Sequence, residues 1–137
     1  MINKYQELAA LICHGDAVLD PAKWLAEEAS DLATRFPHLD EISPQAIMPL
    51  AKLVADGESD ARRLALSLDI EEAKVDEYLD ALSEFKFAEW TGGGYIATPA
   101  GEEAFFAVGQ RMVARELFHV QGRLEQLERL RRHLNGS

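Results

Sequence analysis

The sequence has few of the features that mark metalloproteins, secreted proteins or membrane proteins. Its only cysteine is Cys13, which excludes an internal disulfide, and no spacing of Cys and His resembles a zinc motif. No apolar run reaches the roughly 18 residues that a transmembrane helix needs. The opening residues are too polar, and their apolar stretch too short, for a signal peptide. These absences predict a soluble, cytoplasmic protein without a metal or a cofactor.

Basic residues are also scarce. The chain of 137 residues holds 14 Lys and Arg against 24 Asp and Glu, a net charge of −10. The deficit is greatest in residues 43–110, with 5 basic against 13 acidic residues, whereas residues 111–137 hold 6 against 3. This balance disfavours nonspecific attraction to nucleic acid or to an anionic membrane. The apolar fraction of 47% is sufficient for one folded core.

Periodicity and helix-start signals predict three helices in the first part of the chain. Apolar residues at helical spacing indicate a helix over 3–13, closed by His14-Gly15-Asp16. Asp20-Pro21 supplies a cap and a first-position proline for a helix that ends before Pro37. Ser43-Pro44 repeats the signal for a third helix, which reaches Asp56-Gly57 and kinks or begins late because of Pro49.

The middle and the end of the chain predict two helices, a two-stranded hairpin and a long final helix. A short helix capped by Ser59 or Asp60 is followed by a tight turn at 68–70 and by an amphipathic helix over 70–85. Two strands, 87–91 and 95–98, flank the turn Gly92-Gly93-Gly94. Thr98-Pro99 then starts a long helix that runs to about residue 134 and is closed by Asn135-Gly136.

Two stretches within this order of elements, "LALSLDIEEAKVDEYLDALSEFKFAEW" and "TPAGEEAF", resemble the bacterial MarR-type and related winged helix-turn-helix regulators. The resemblance covers about residues 47–105. It implies a mainly α (α+β) winged helix-turn-helix fold with a two-stranded wing and long N- and C-terminal dimerisation helices. Residues 1–42 would hold the N-terminal helices, 43–98 the winged part and 99–137 the long helix, all in one structural domain. The family commonly has glycine where this chain has Asp69, a residue that tolerates the left-handed conformation.

The helix over 70–85 occupies the place of a recognition helix but has an acidic outer face. Regulators of this type present Ser, Thr, Gln, Asn or Arg to the DNA, and here four carboxylates stand in their place. Like charges four residues apart destabilise a helix slightly, so helix stability does not explain the pattern. Three interpretations stay open: a solvated surface, a face that binds a basic protein, or unusual contacts to bases.

The wing and the preceding helix complete this surface. The wing tip has no cation, and Trp90 and Tyr95 beside it are interpreted first as packing residues and otherwise as a protein contact. Arg62 and Arg63 are the basic residues best placed to meet phosphates. The candidate contacts to DNA or to a protein partner are Arg62, Arg63, Glu72, Lys74, Asp76, Glu77, Asp80, Glu84, Trp90 and Tyr95.

The long C-terminal helix carries an apolar seam with 3-4 spacing, interrupted by Gln110 and Arg131. The seam is formed by Phe106, Val113, Leu117, Val120, Leu124, Leu127 and Leu134. Such a helix is longer than one small domain can cover. The N-terminal helices of the same chain are one possible cover, and a homodimer with interleaved helices, as the resemblance implies, is the favoured one.

No catalytic arrangement is evident, since no carboxylate pair adjoins a nucleophile and the glycine turn lacks the lysine of a phosphate-binding loop. We therefore predict that the protein is not an enzyme. It is either a transcription-regulator-like protein that binds DNA weakly or atypically, or an adaptor or DNA-mimicking inhibitor that binds a basic protein surface. A small-molecule effector is a further possible partner. Its cleft would lie between the dimer helices and the winged part and could be lined by Trp24, Phe36, Phe105, Phe106 and Met112, residues that core packing explains equally well.

Overall fold

The computed structural model describes residues 3–14 and 20–135 and is mainly helical, with one small two-stranded antiparallel sheet. The helices are α1 (Lys4–His14), α2 (Pro21–Leu32), α3 (Ile47–Asp56), α4 (Ala61–Leu68), α5 (Glu72–Glu84) and α6 (Pro99–Leu134). The strands are β1 (Ala88–Trp90) and β2 (Tyr95–Ala97), and short 3₁₀ turns cover Leu39–Glu41 and Pro44–Ala46. The mainly α class and the order of elements predicted from the sequence are confirmed.

One predicted boundary is wrong. The second helix ends at Leu32, and the chain after it turns more tightly through the hydrogen bond from the Arg35 amide to the Leu32 carbonyl, 3.0 Å long, which spans three residues as in a 3₁₀ turn. For the third helix the later of the two predicted starts is confirmed: the signal at residues 43–44 produces a 3₁₀ turn, and α3 begins at Ile47. Pro49 then lies in the first turn of α3. Backbone N–H groups in this turn have no acceptor within the helix, so the N–H that proline lacks is not missed. The predicted stop at residues 15–16 lies outside the described residues.

Side chains cap the starts of four described helices: Asn3 caps α1, Asp20 caps α2, Asp60 caps α4 and Thr98 caps α6. Asp20 accepts hydrogen bonds from the amides of Ala22 and Lys23 at the start of α2, and Asp60 accepts one from the Arg63 amide at 2.8 Å at the start of α4. Asp69 ends α4 with φ 54° and ψ 50°, the left-handed conformation expected for this turn. The Asp60 cap and the Asp69 turn fix the two ends of α4, and the Asp69 turn sets the angle at which α5 leaves it.

One core joins α1, α2, α3 and the first half of α6 to the inner faces of α4 and α5. Its largest fully buried side chains are Phe105, Leu25, Leu39, Ile47, Leu50, Leu79, Leu82 and Met112. Because α5 contributes Leu79 and Leu82 to this core, its opposite face is fixed toward solvent.

The hairpin is tied to the chain ahead of α4. Trp90 pairs with Tyr95, and the Thr91 amide donates to the Gly94 carbonyl at 2.8 Å to close the turn. Ser59 forms an isolated antiparallel β-bridge with Tyr95. Its amide donates to the Tyr95 carbonyl at 3.1 Å, and its carbonyl accepts from the Tyr95 amide at 2.7 Å. The hairpin is therefore held from both sides of β2.

The start of α6 passes very close to the chain that leaves α5. The Thr98 hydroxyl donates to the Lys86 carbonyl at 2.6 Å and accepts from the Gly101 amide at 3.0 Å. The Thr98 amide donates to the Phe87 carbonyl at 3.1 Å. A Cβ on Gly101 would lie 2.0 Å from that same carbonyl oxygen, so only glycine fits there.

The two halves of α6 have different surroundings. The first half is anchored in the core by Phe105, Val108 and Met112. Of the predicted seam, Phe106 and Val113 are half-buried, and Leu117, Val120, Leu124, Leu127 and Leu134 are exposed. The described N-terminal helices thus cover only the beginning of the seam. None of the helices in residues 3–14 and 20–135 is long and apolar enough to cross a bilayer.

Candidate interaction surface

The outer face of α5 is a continuous exposed band of carboxylates. Val75, Leu79 and Leu82 are fully buried on the inner side, which leaves the candidate acidic residues facing solvent. That face, which we call the acidic face, consists of Asp76, Glu77, Asp80 and Glu84. Glu72, Ala73 and Lys74 are also exposed at the start of the helix. Among the described residues the one ion pair recorded on this face joins Lys74 Nζ to a Glu77 carboxylate oxygen at 3.7 Å.

The acidic face continues toward the hairpin. Burial raises the pKa of the Tyr95 hydroxyl, and the negative charges of Asp80 and Asp76 raise it further. The Tyr95 ring is half-buried and meets the Trp90 ring edge to face, with 5.0 Å between their centroids. Trp90 nevertheless keeps 54% of its surface exposed. The exposed Trp90 ring thus contacts Tyr95, whose hydroxyl is influenced by the charges of the acidic face, and such a ring is suited to contact with a cationic side chain.

The two candidate arginines lie on α4. Arg62 and Arg63 are both exposed, and Arg63 Nε lies 3.9 Å from an Asp60 carboxylate oxygen. Arg62 borders a shallow depression that also includes Asp69 and Glu72. The carboxylates around both arginines offset their charge, so this part of the surface is not a basic patch.

A second charged cluster, not foreseen from the sequence, joins α2 to α6. Glu28 is 8% exposed, and its carboxylate accepts a hydrogen bond from Arg111 at 2.9 Å and forms an ion pair with Arg115 at 2.8 Å. Arg111 also donates to Asp31 at 3.0 Å, and the Arg115 guanidinium lies 5.6 Å from the centre of the Trp24 ring. The sequence held a signal, because Glu28 interrupts the apolar stripe of α2 one turn before Leu32. We assign this cluster to helix packing.

The five aromatic and methionine side chains expected around an effector cleft are not brought together. Phe105 and Met112 are fully buried in the core, and Phe36 is nearly so. Trp24 borders a cleft of about 350 Å³ with Arg115. Phe106 lies on a different surface, packed edge to face on Tyr5. Of the two explanations that the sequence left open, core packing therefore applies to Phe36, Phe105 and Met112.

The described residues contain no cluster of three or more His, Cys, Asp or Glu side chains that could hold a metal ion. His14 pairs with Asp56 at 3.0 Å, and His38 pairs with Glu41, both on exposed side chains. Cys13 is half-buried. Burial raises the pKa of its thiol to about 11, while Lys52 lowers that pKa and Asp56 raises it. Such a thiol is a poor nucleophile at neutral pH.

Alkylation of Cys13 should therefore be slow in the folded protein. At pH 8 we expect iodoacetamide to react roughly a hundredfold more slowly than with the same chain unfolded in urea, because far less thiolate is present. The rate should rise about tenfold for each pH unit up to the raised pKa. Equal rates for the folded and the unfolded chain would contradict this assignment.

Comparison of the chain with protein-family models, with curated proteins and with solved structures found no match in any of the three.

Proposed function

We propose that this chain is a cytoplasmic winged-helix-type interaction protein whose acidic face, with Trp90 beside it, binds a basic surface of another protein. The exposure of Asp76, Glu77, Asp80 and Glu84 on the outer face of α5 carries the proposal. In a winged helix this is the surface that enters the major groove. Four carboxylates there would be repelled by the phosphates on both sides of the groove.

The energetics of α5 support a binding role for the acidic face. Asp76 and Asp80, and likewise Asp80 and Glu84, are one helical turn apart, and each such pair destabilises an isolated helix by about 0.2–0.5 kcal/mol. Glu84 is also the last residue of α5, where the helix dipole disfavours an anion. A basic partner would add attractive interactions that offset these unfavourable terms. Trp90 would add an aromatic anchor at the edge of the contact.

A DNA-binding regulator is the second candidate, and Arg62 and Arg63 favour it. Both arginines extend into solvent from the first turn of α4. A homodimer would present four such side chains, fewer than the six to ten phosphate contacts made by a typical strong DNA binder. Binding through them would be weak, with a smaller salt dependence than that of such a binder.

Charge reversal on α5 distinguishes the two candidates. The probes are a fluorescent oligo-arginine peptide and a short mixed-sequence DNA duplex, both titrated at low salt. We expect wild type to bind the peptide and not the duplex, and Asp76→Lys/Asp80→Lys to weaken peptide binding on the order of tenfold. The reversed variant should also gain affinity for the duplex, because it removes the repulsion.

The matched control is Glu7→Lys/Glu27→Lys, which changes the net charge equally at two exposed positions on α1 and α2. It should leave peptide binding nearly unchanged, and equal loss in both variants would show that only net charge matters. If wild type binds the duplex and Arg62→Ala/Arg63→Ala lowers the salt dependence of that binding, the regulator function is correct and the adaptor function is wrong.

A further inference from the structure

The second half of α6 exposes an apolar stripe that the described chain leaves uncovered. From Leu117 onward each residue of this helix is exposed. Seven large apolar side chains in this half are more than 50% exposed: Leu117, Phe118, Val120, Leu124, Leu127, Leu130 and Leu134. Five of them continue the 3-4 spacing of the seam. A contiguous stripe of this length on a soluble helix marks an interface.

The first half of α6 offers a groove on the same seam. The groove has a volume of about 480 Å³ and is lined mainly by Leu8 of α1 and by Phe106, Gly109, Val113, Ala114 and Leu117. Gly109 keeps α1 close, since a Cβ there would lie 2.6 Å from Leu8 Cδ2. Leu11, one turn beyond Leu8, is 60% exposed. One end of α6 thus carries an apolar groove and the other an apolar ridge.

We infer that two copies of this chain pair through α6 in antiparallel orientation, with the ridge of each in the groove of the other. The pairing is independent of what the acidic face binds. In the register that overlaps residues 103–134 of both helices, Leu117 lies opposite the partner's Val120, and Val113 lies opposite the partner's Leu124. The overlap is about 48 Å long. Both the ridge and the groove would be covered by one symmetric contact.

Charge complementarity favours the antiparallel direction. Arg131 occupies a seam position, so in a parallel pair it would lie against its own copy in the centre of the contact. In the antiparallel pair it lies opposite Phe106 and within a turn of Glu103. Residues 118–134 contain four arginines and two glutamates, and this basic end of α6 would lie beside the acidic start of the partner helix. Antiparallel helix dipoles also attract each other.

Flanking charges fix the register. In the proposed alignment Glu116 lies beside the partner's Arg123, and the twofold axis generates this pair twice. A shift of one heptad in one direction would place Arg123 beside the partner's Arg123, and a shift in the other direction would place Glu116 beside the partner's Glu116. The seam fits all three alignments, so the attraction between Glu116 and Arg123 in one and the like-charge repulsion in the other two decide among them.

Cysteine cross-linking tests the direction and the register together. Val113→Cys and Leu124→Cys are made separately on a Cys13→Ser background, with tags of different size, and treated with a short bis-maleimide reagent. We expect the mixture of the two variants to cross-link and each variant alone not to. In the antiparallel pair, each cysteine and its own copy would be offset by about 16 Å along the axis. Cross-linking of each variant with itself would establish a parallel pair and overturn the inference.

Sedimentation provides the second measurement. Wild type should be a dimer at micromolar concentration, and Leu124→Asp/Leu127→Asp should be a monomer with unchanged helix content, because both positions are exposed within one chain. The matched control Glu125→Asp/Glu128→Asp, on the flanks of the seam, should stay dimeric. A monomeric wild type would overturn the inference, and so would a Leu124→Cys chain that cross-links to Val120→Cys but not to Val113→Cys.

Discussion

Replacing Gly101 by alanine should lower the free energy of unfolding by about 3 kcal/mol, near the upper end of the cost of overpacking. The added methyl group would lie 2.0 Å from the Phe87 carbonyl oxygen and 2.9 Å from its carbon. These are backbone atoms, and the same carbonyl accepts the Thr98 amide bond, so neither side can move without losing a hydrogen bond. The change would separate the start of α6 from the entry to β1.

Gly122→Ala is the matched control, because Gly122 lies in the same helix and nothing stands within 4 Å of its added Cβ. There alanine should raise stability by about 1 kcal/mol through its higher helix propensity. Urea unfolding at one fixed protein concentration measures both variants, since dimerisation would otherwise change the apparent stability. If Gly101→Ala is as stable as wild type, or if both variants change stability by the same amount in the same direction, the close approach at Phe87 does not exist.

Removing both cationic partners of Glu28 should lower stability by a similar amount. In Arg111→Met/Arg115→Met the carboxylate, whose side chain is 9% exposed, would lose both arginine partners. Leaving a buried charge without a partner costs about 3 kcal/mol or more. The methionines keep most of the apolar contact that the arginine stems make, so the loss reports mainly on charge.

A triple variant separates this effect from a general loss of packing. Adding Glu28→Leu to the double variant removes the stranded charge and should recover most of the lost stability in urea unfolding. Arg129→Met, on the exposed half of α6, should change stability by less than about 0.5 kcal/mol. If the triple variant is no more stable than the double variant, desolvation of Glu28 is not the cause.

The predictable parts of this fold are those set by neighbouring residues. The caps at Asp20, Asp60 and Thr98 and the left-handed turn at Asp69 follow from side-chain chemistry within a few residues, and the structure has all four. The inward and outward faces of α5 likewise follow from its periodicity. The position of the acidic face was therefore predictable from the sequence.

The parts that were not predictable depend on contacts between distant segments. Arg111 lies far along the chain from Glu28, and no local pattern relates them. The groove on α6 exists because Leu8 approaches Gly109, which the sequence shows only as a glycine within a helix. The aromatic residues expected to share a cleft were separated for the same reason, since periodicity gives the face of a helix and not its neighbours.

The glycine turn of the hairpin has a consequence for how this protein could change over evolutionary time. Gly92 has a φ of 98°, which most side chains adopt only with strain, but Gly93 has no such conformation and nothing within 4 Å of an added Cβ. A lysine or arginine could therefore arise at position 93 by one substitution without disturbing the fold. Affinity for nucleic acid could thus be gained or lost at this tip while the core stays the same, so a lineage carrying this chain could change its type of partner without rebuilding its scaffold.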